Sequence, residues 1–120
     1  MFISIITCLL LSPAIFGYDE KYNNVDVDKI ISDDTLLLNY INCFLDKGPC
    51  DSDFAQDYRD MLPEVIATAC GKCTDIQKKN VRKIITVIFE KKTVLAAELQ
   101  AKYDPESKYQ DKIAALMKDD

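Results

Sequence analysis

Four cysteines are the residues whose type and spacing could carry chemistry in this chain. Six residues separate Cys43 from Cys50, two separate Cys70 from Cys73, and nineteen lie between the pairs. Such a set could form disulfides, bind zinc through thiolates or exchange disulfides in a redox reaction. The fifth cysteine, Cys8, falls in an apolar leader, so an even number remains. The sequence therefore predicts two disulfides.

Redox and zinc chemistry fit the cysteine pattern less well than structural disulfides do. Cys70-x-x-Cys73 directly precedes a predicted helix, whose N-terminus would stabilise a thiolate. A thioredoxin-like motif requires βαβ surroundings, however, and the sequence shows none. A zinc site needs two close pairs, whereas six residues separate Cys43 from Cys50.

Four cysteines allow three pairings, and no rule applied to the sequence alone selects one. Proximity along the chain favours Cys43 with Cys50 and Cys70 with Cys73. Gly48-Pro49 ends a predicted helix and turns the chain back, which would bring the first pair within bonding distance. Disulfides between neighbouring cysteines would each close a turn and would not link distant helices to one another. The helical core would then be held mainly by packing and would be able to loosen around a bound molecule.

The chain contains no histidine, which removes the commonest general base and metal ligand. A Ser-His or Cys-His nucleophile is thereby excluded. Adjacent carboxylates such as Asp33-Asp34 and Asp119-Asp120 lie where helix caps and solvated tails are expected, not in a predicted buried site. The sequence predicts a protein that is not an enzyme and has no cofactor.

The N-terminal segment, residues 1–17, has no charged side chain and holds an apolar run from Phe2 to Leu11. This pattern is typical of a secretory signal peptide and is too short to span a membrane. We expect one secreted domain at 18–120, in an oxidising compartment that suits disulfides. The net charge is −5, so electrostatic attraction to nucleic acid or to an anionic membrane surface is not expected. We also expect no membrane insertion after the signal peptide is removed.

An all-α domain is the simplest interpretation of residues 18–120, because no long segment alternates with period two and glycine and proline are few. Pro63 lies inside one apolar stripe whose phase continues across it, so we expect a single kinked helix there. The apolar stripes and cap signals predict six helices. The first three are expected over 26–32, 35–46 and 54–69. The fourth is expected to begin at 74 and end near 92, the fifth to cover 94–102, and the sixth to begin at 105.

Cap signals set several of these helix starts. Ser52 is expected to cap the third helix, and Thr74-x-x-Gln77 is a candidate capping box for the fourth. Asp104 and Pro105 are expected to be the N-cap and first residue of the sixth helix. The fourth helix is apolar around much of its circumference, which predicts a central position in the fold.

The spacing Cys-x6-Cys-x19-Cys-x2-Cys resembles that of the insect chemosensory proteins. Four further blocks resemble the family's pattern in order and cover essentially the whole mature chain. The resemblance implies six helices around an apolar channel in a compact domain with two local disulfides. The blocks are Lys21-Tyr-Asn-Asn-Val-Asp-Val-Asp28, Leu38-Asn-Tyr-Ile-Asn-Cys43 through Lys47-Gly-Pro-Cys50, Leu62-Pro63, and Lys102-Tyr-Asp-Pro105.

The resemblance also implies that some residues of the apolar stripes line a ligand channel. Helical apolar stripes are usually just core, so the residues alone leave this open. Tyr40 could combine an aromatic wall with a hydroxyl that orients a polar head. The candidate ligand-binding residues are Tyr40, Phe44, Val65, Ile66, Ile84, Ile85, Ile88, Leu95, Ala96, Leu99, Tyr109 and Ile113.

Ala96 marks a departure from the family's pattern. Many members carry a tryptophan at this position, near the mouth or wall of the channel, whereas this chain has no tryptophan. Alanine would free a large volume there, so we expect a wider pocket that takes bulkier or branched ligands. Leu95 or Phe89 filling that space would contradict this expectation.

The function predicted from the residues and the resemblance together is that of a secreted, monomeric carrier. It would bind a small hydrophobic ligand, such as a semiochemical or a long-chain fatty acid, alcohol or ester, reversibly and with micromolar affinity. The alternative is a secreted developmental, defence or signalling factor that acts through a partner protein. That alternative would need an exposed apolar patch.

Overall fold

The computed structural model describes residues 18–118, so the predicted signal peptide at 1–17 and the last two aspartates lie outside the described residues. Over this range the chain is all-α, with six α-helices and one short 3-10 helix, which confirms the predicted fold class. The elements are the 3-10 helix Glu20–Asn24 and the α-helices α1 Val27–Ser32, α2 Asp34–Phe44, α3 Ala55–Thr68, α4 Asp75–Lys91, α5 Thr93–Tyr103 and α6 Gln110–Lys118.

Two helix starts confirm the predicted cap signals. Asp33 caps α2, because its carboxylate accepts a hydrogen bond from the Leu36 N–H at 3.2 Å. Thr74 and Gln77 form the capping box of α4. The Thr74 hydroxyl accepts from the Gln77 N–H at 3.1 Å, and the Gln77 side chain accepts from the Thr74 N–H at 3.0 Å.

The predicted cap of α3 is wrong. Ser52 does not cap this helix, and Phe54 occupies the N-cap position with φ of 58° and no side-chain hydrogen bond. The Ser52 carbonyl instead accepts from the Ala55 N–H at 3.0 Å, so a tight turn precedes the helix. Pro63 lies within α3, which continues past it as one helix, as the uninterrupted apolar stripe predicted.

The predicted start of α6 is also wrong. Asp104 ends α5, where its N–H donates to the Gln100 carbonyl at 2.8 Å, and Pro105 lies in the following turn. The Asp104 carboxylate organises the whole loop before α6. It is 2% exposed and accepts from the Lys108 N–H at 2.8 Å and the Tyr109 N–H at 3.2 Å. These hydrogen bonds hold residues 105–109 in a loop, so the helix begins at Gln110, more than one turn later than predicted.

The same carboxylate predicts a pH dependence of stability. Burial raises the pKa of the Asp104 carboxyl, but hydrogen bonds from Gln110, Tyr109 and Lys108 outweigh burial and hold this pKa below its ordinary value of 3.8. A carboxyl with a lowered folded-state pKa stabilises the fold above its unfolded-state pKa, and the contribution is lost as pH falls through the folded-state pKa. We expect Asp104→Asn to lower the melting temperature at neutral pH and to flatten its decline below about pH 4.

A control for this experiment is Asp111→Asn, on the exposed face of α6. The control variant should melt near the temperature of the unchanged protein at neutral pH. Parallel acid melting curves for the Asp104 variant and the unchanged protein would contradict the assignment.

Both disulfides are local, as proximity along the chain favoured. Cys43 bonds to Cys50 across the turn after α2, and Cys70 bonds to Cys73 in the turn before α4. Cys43 and Cys70 are fully buried. The bridges therefore anchor two turns to the core, and no disulfide in the described residues joins distant helices.

The most buried side chains come from α2 rather than from α4. Leu37, Tyr40 and Ile41 of α2 are all at most 5% exposed and pack near Ile30 of α1 and Ile88 of α4. Most apolar residues of α4 are only half-buried. α4 contacts the 3-10 helix, α1, α5 and α6, which agrees with its predicted central position, and the cavity described next explains why its apolar residues are only half-buried.

Candidate ligand-binding cavity

A cavity of about 240 Å³ lies among the helices, and its wall is almost entirely apolar. All six α-helices and the N-terminal segment contribute side chains to it. Most apolar residues of α4 line this space instead of packing tightly against another helix. The wall residues of α4 are Gln77, Asn80, Val81, Ile84, Ile85, Ile88 and Phe89.

Most of the residues predicted to line a channel lie in this wall. They come from α2 through α6 and converge although they are distant in sequence. Whether they contact a ligand stays a prediction. Those in the wall are Tyr40, Phe44, Val65, Ile66, Ile84, Ile85, Ile88, Ala96, Leu99 and Ile113.

Two predicted residues lie outside the wall. On α5, the wall positions Ala96, Leu99 and Tyr103 repeat at helical spacing, so the neighbouring Leu95 points about 100° away and packs against the core. Tyr109 precedes the first residue of α6, where its N–H donates to Asp104. The late start of α6 removes Tyr109 from the helical stripe on which its prediction rested.

Other wall residues were missed by the sequence analysis. Tyr58, Met61 and Leu62 belong to the same α3 stripe as the predicted residues, so helical spacing could have found them. Tyr18 and Tyr22 come from the segment before α1, which carries no helical periodicity. Nothing in the local sequence indicates that this segment folds back over the cavity.

Hydrogen bonds hold the segment Tyr18–Asn24 against the body of the domain. The Tyr18 hydroxyl donates to a Glu64 carboxylate oxygen of α3 at 2.6 Å, and the Tyr22 hydroxyl donates to an Asp57 oxygen at 2.9 Å. The Gln77 side-chain amide donates to the Asp19 carbonyl at 3.0 Å. The segment thereby bridges α3 and the start of α4 on one side of the cavity.

Two further tyrosine hydroxyls in the wall are occupied by the backbone. Tyr40 donates to the Asp53 carbonyl at 2.6 Å, and Tyr103 donates to the Phe44 carbonyl at 2.5 Å. Burial raises the pKa of both phenols, so they stay neutral hydrogen-bond donors. Because the proton of Tyr40 is already engaged, its hydroxyl is free to meet a ligand's polar head only as an acceptor, and the orienting role expected of it stays a prediction.

Ala96 lies in the wall and is 2% exposed. Phe89 also lies in the wall but is 53% exposed, and Leu95 lies outside it. Neither side chain is thus buried in the wall beside Ala96. The expectation that this alanine widens the pocket stays a prediction.

Residues 18–118 show neither a membrane-spanning helix nor a metal site. No helix in this range combines the length and the apolar character that crossing a bilayer requires. The same range contains no cluster of three or more cysteine, aspartate or glutamate residues that could hold a metal ion.

Comparisons with known proteins agree on one family. The family described as "Insect pheromone-binding family, A10/OS-D" matches residues 18–111. Ejaculatory bulb-specific protein 3 of Drosophila melanogaster is 40% identical over 101 residues, which cover 84% of this chain and 79% of the relative.

Solved structures of similar sequence share the fold. A chemosensory protein in complex with bromo-dodecanol is 31% identical and aligns with a TM-score of 0.74 over 82% of this chain and 98% of its own. Antennal chemosensory protein A6 from the moth Mamestra brassicae is 32% identical, with a TM-score of 0.67 over 84% of this chain and 93% of its own.

Proposed function

This chain belongs to the insect chemosensory, or A10/OS-D, family, and from that premise we propose that it is a secreted carrier of small lipophilic molecules. The observation that carries the proposal is the apolar cavity of about 240 Å³ enclosed by the six helices. A structure that is 31% identical to this chain holds bromo-dodecanol, an amphiphile with a long alkyl chain. The family consists of ligand carriers rather than enzymes.

The energetics favour reversible binding of one long alkyl chain. Burying a sixteen-carbon chain contributes about 13 kcal/mol at about 0.8 kcal/mol per methylene. Lost translational freedom and ordering of the chain remove several kcal/mol of this. A net value near 8 kcal/mol corresponds to about micromolar affinity, which allows both uptake and release.

The leader and the disulfides support export of the carrier. Residues 1–17 have the composition of a signal peptide, and the domain at 18–120 carries two disulfides, which form in an oxidising compartment. We propose that the mature carrier is a monomer, which sedimentation of the refolded domain would test.

Displacement of a fluorescent apolar probe tests the proposed function most directly. The disulfide-intact protein is loaded with N-phenyl-1-naphthylamine and titrated with alkanols, esters, fatty acids and terpenoids. We expect displacement at about micromolar concentrations, with affinity that rises with chain length until the cavity is full. Absence of probe uptake would mean that the wall residues form a closed core.

We also predict that ligand binding widens the cavity. Its volume of about 240 Å³ falls below the range of about 300–1,000 Å³ typical of small-molecule sites. The local disulfides leave α3 and α4 free to move apart, since no bridge in the described residues joins them to a distant helix. Hydrogen exchange in α3 and α4 should therefore change when saturating dodecanol is added. Identical exchange with and without dodecanol would contradict the widening.

The partner-protein alternative lacks support from the described surface. The large apolar side chains exposed there are Phe54, Ile76, Phe89 and Val94. Ile76 and Phe89 lie thirteen residues apart on α4, which separates them by about 20 Å along the helix. Scattered single exposures of this kind are normal for a monomer.

A further inference from the structure

Tyr58 is the centre of an aromatic cluster at one part of the cavity wall. Its ring centroid lies 5.6 Å from that of Tyr22, 6.3 Å from that of Tyr40 and 6.2 Å from that of Phe54. Tyr58 itself lies in the wall on α3. The Tyr58 ring therefore lies close to aromatic rings from both the N-terminal segment and α2.

Most polar side chains of the wall already have hydrogen-bond partners within the protein. The other four tyrosine hydroxyls each donate to a carboxylate or a backbone carbonyl. The three glutamines and the one aspartate of the wall are paired as well. Among the wall residues within 18–118, this leaves the Tyr58 hydroxyl and the Asn80 amide as the polar side chains without a hydrogen bond to the protein.

The Tyr58 hydroxyl is the better placed of the two to meet a ligand's polar group. It belongs to a packed aromatic cluster, and burial raises the pKa of its phenol, so it stays protonated as a donor. A partly buried hydroxyl without a partner carries a desolvation cost that an incoming acceptor would relieve. The surrounding rings would meanwhile enclose the first carbons of the ligand.

We propose that the Tyr58 hydroxyl donates a hydrogen bond to the polar head of the carried molecule, and that this head is uncharged, as in an alcohol, aldehyde, ketone or ester. This inference rests on the proposed carrier function and adds to it the chemical class of the ligand's head. It also assigns that recognition to Tyr58 rather than to Tyr40, whose proton is bonded to the Asp53 carbonyl.

The charges beside the cluster disfavour an anionic head. The carboxylates of Asp57 and Asp53 lie close enough to Tyr58 to add to the rise of its pKa. A carboxylate head at the same phenol would be repelled chiefly by Asp57, which is only partly exposed, because the charge of the exposed Asp53 is screened as that of Lys21 is. The cation at this cluster is Lys21, whose ammonium lies 5.2 Å from the Tyr22 ring centroid and 5.8 Å from the Phe54 ring centroid. Lys21 is exposed, so its charge is well screened.

The test compares two competitors of equal length, dodecan-1-ol and the hydrocarbon dodecane, by displacement of N-phenyl-1-naphthylamine. Tyr58→Phe keeps the ring and removes the hydroxyl. It should weaken binding of dodecanol about three- to tenfold and leave binding of dodecane within about twofold. The control is Tyr109→Phe, which removes the hydroxyl of a tyrosine outside the cavity wall, and it should bind both competitors as the unchanged protein does.

Charge is tested with dodecanoate at neutral pH. The unchanged protein should bind dodecanol more tightly than dodecanoate, and Asp57→Asn should improve dodecanoate binding severalfold. This variant also keeps the test decisive should Tyr58→Phe fail to fold, because no gain for dodecanoate would overturn the proposal.

Three other outcomes would overturn the assignment of the polar head to Tyr58. The first is an equal loss of dodecanol and dodecane on Tyr58→Phe. The second is loss of the preference for dodecanol on Asn80→Ala but not on Tyr58→Phe. The third is a preference for dodecanoate that disappears on Lys21→Gln. Failure of the unchanged protein to take up the probe would contradict the carrier function itself, which separates the two proposals.

Discussion

Replacing Ala96 by tryptophan is expected to weaken binding of long-chain ligands by at least tenfold. Ala96 is 2% exposed and lies in the cavity wall on α5, so an indole at this position would occupy space that an alkyl chain would otherwise fill. Each methylene that is kept out of the cavity costs about 0.8 kcal/mol, and excluding two of them already exceeds a factor of ten. Titration with alkanols of increasing length measures the effect.

The new side chain should fit at limited cost to the fold. Overpacking a closed core typically costs about 1–3 kcal/mol, and we expect a smaller loss here because the indole enters existing empty volume. The longest alkanols should lose the most affinity. The single tryptophan in the chain would also report ligand entry through its fluorescence.

The neighbouring exposed residue Ala97 supplies the matched control. Ala97→Trp adds the same side chain to the outer face of α5 and should leave both ligand binding and stability nearly unchanged. If Ala96→Trp bound dodecanol and hexadecanol as the unchanged protein does, position 96 would not border the ligand. The prediction that the alanine widens the pocket would then be wrong.

Removing the Cys43–Cys50 bridge is expected to produce the largest loss of stability. In the chain-entropy model a loop of this length contributes about 2.5 kcal/mol. Cys43 is fully buried, so replacing both cysteines by alanine also leaves a small void in the core. For a domain of about one hundred residues, such a loss lowers the melting temperature by roughly 10 °C or more. Calorimetry of the double variant measures this directly.

The second bridge, Cys70–Cys73, provides an internal comparison. It closes a loop of only three residue steps, for which the same model gives about 1.9 kcal/mol. We therefore expect its removal to cost less than removal of Cys43–Cys50. The reverse order would show that the bridge before α4 contributes through the packing of Cys70 rather than through loop closure.

Features that depend on short-range geometry were predictable from the sequence. The capping box at Thr74 and Gln77, the continuity of α3 through Pro63, and the proximity of the paired cysteines all rest on contacts between residues a few positions apart. Helical periodicity likewise identified most of the wall, since residues such as Ile84, Ile85 and Ile88 share one side of α4. The all-α fold class follows from the same local signals.

The predictions that failed depend on where a side chain points and what it binds in the folded chain. The buried Asp104 carboxylate binds backbone groups of the following loop and delays α6, which removes Tyr109 from the wall. Leu95 is as apolar as the wall residues of α5, but its side chain points about 100° away from that of Ala96 and packs against the core. A prediction based on apolar character alone has no means of detecting either effect.

The sequence by itself determined six helices and their periodic apolar faces, because these arise from propensities and contacts within about one turn of chain. It favoured two local bridges through proximity along the chain but did not select that pairing. Only the tertiary structure decided which apolar faces close against one another and which enclose a cavity. A helix face that lines a cavity and a face that packs against another helix contain the same residue types with the same period. They differ only in whether another helix or an empty space lies opposite them. For the same reason the placement of Tyr18, Tyr22 and Tyr58 in the cavity wall emerged only from the folded chain, as did the fact that Tyr58 is the one wall tyrosine within 18–118 whose hydroxyl has no hydrogen bond to the protein.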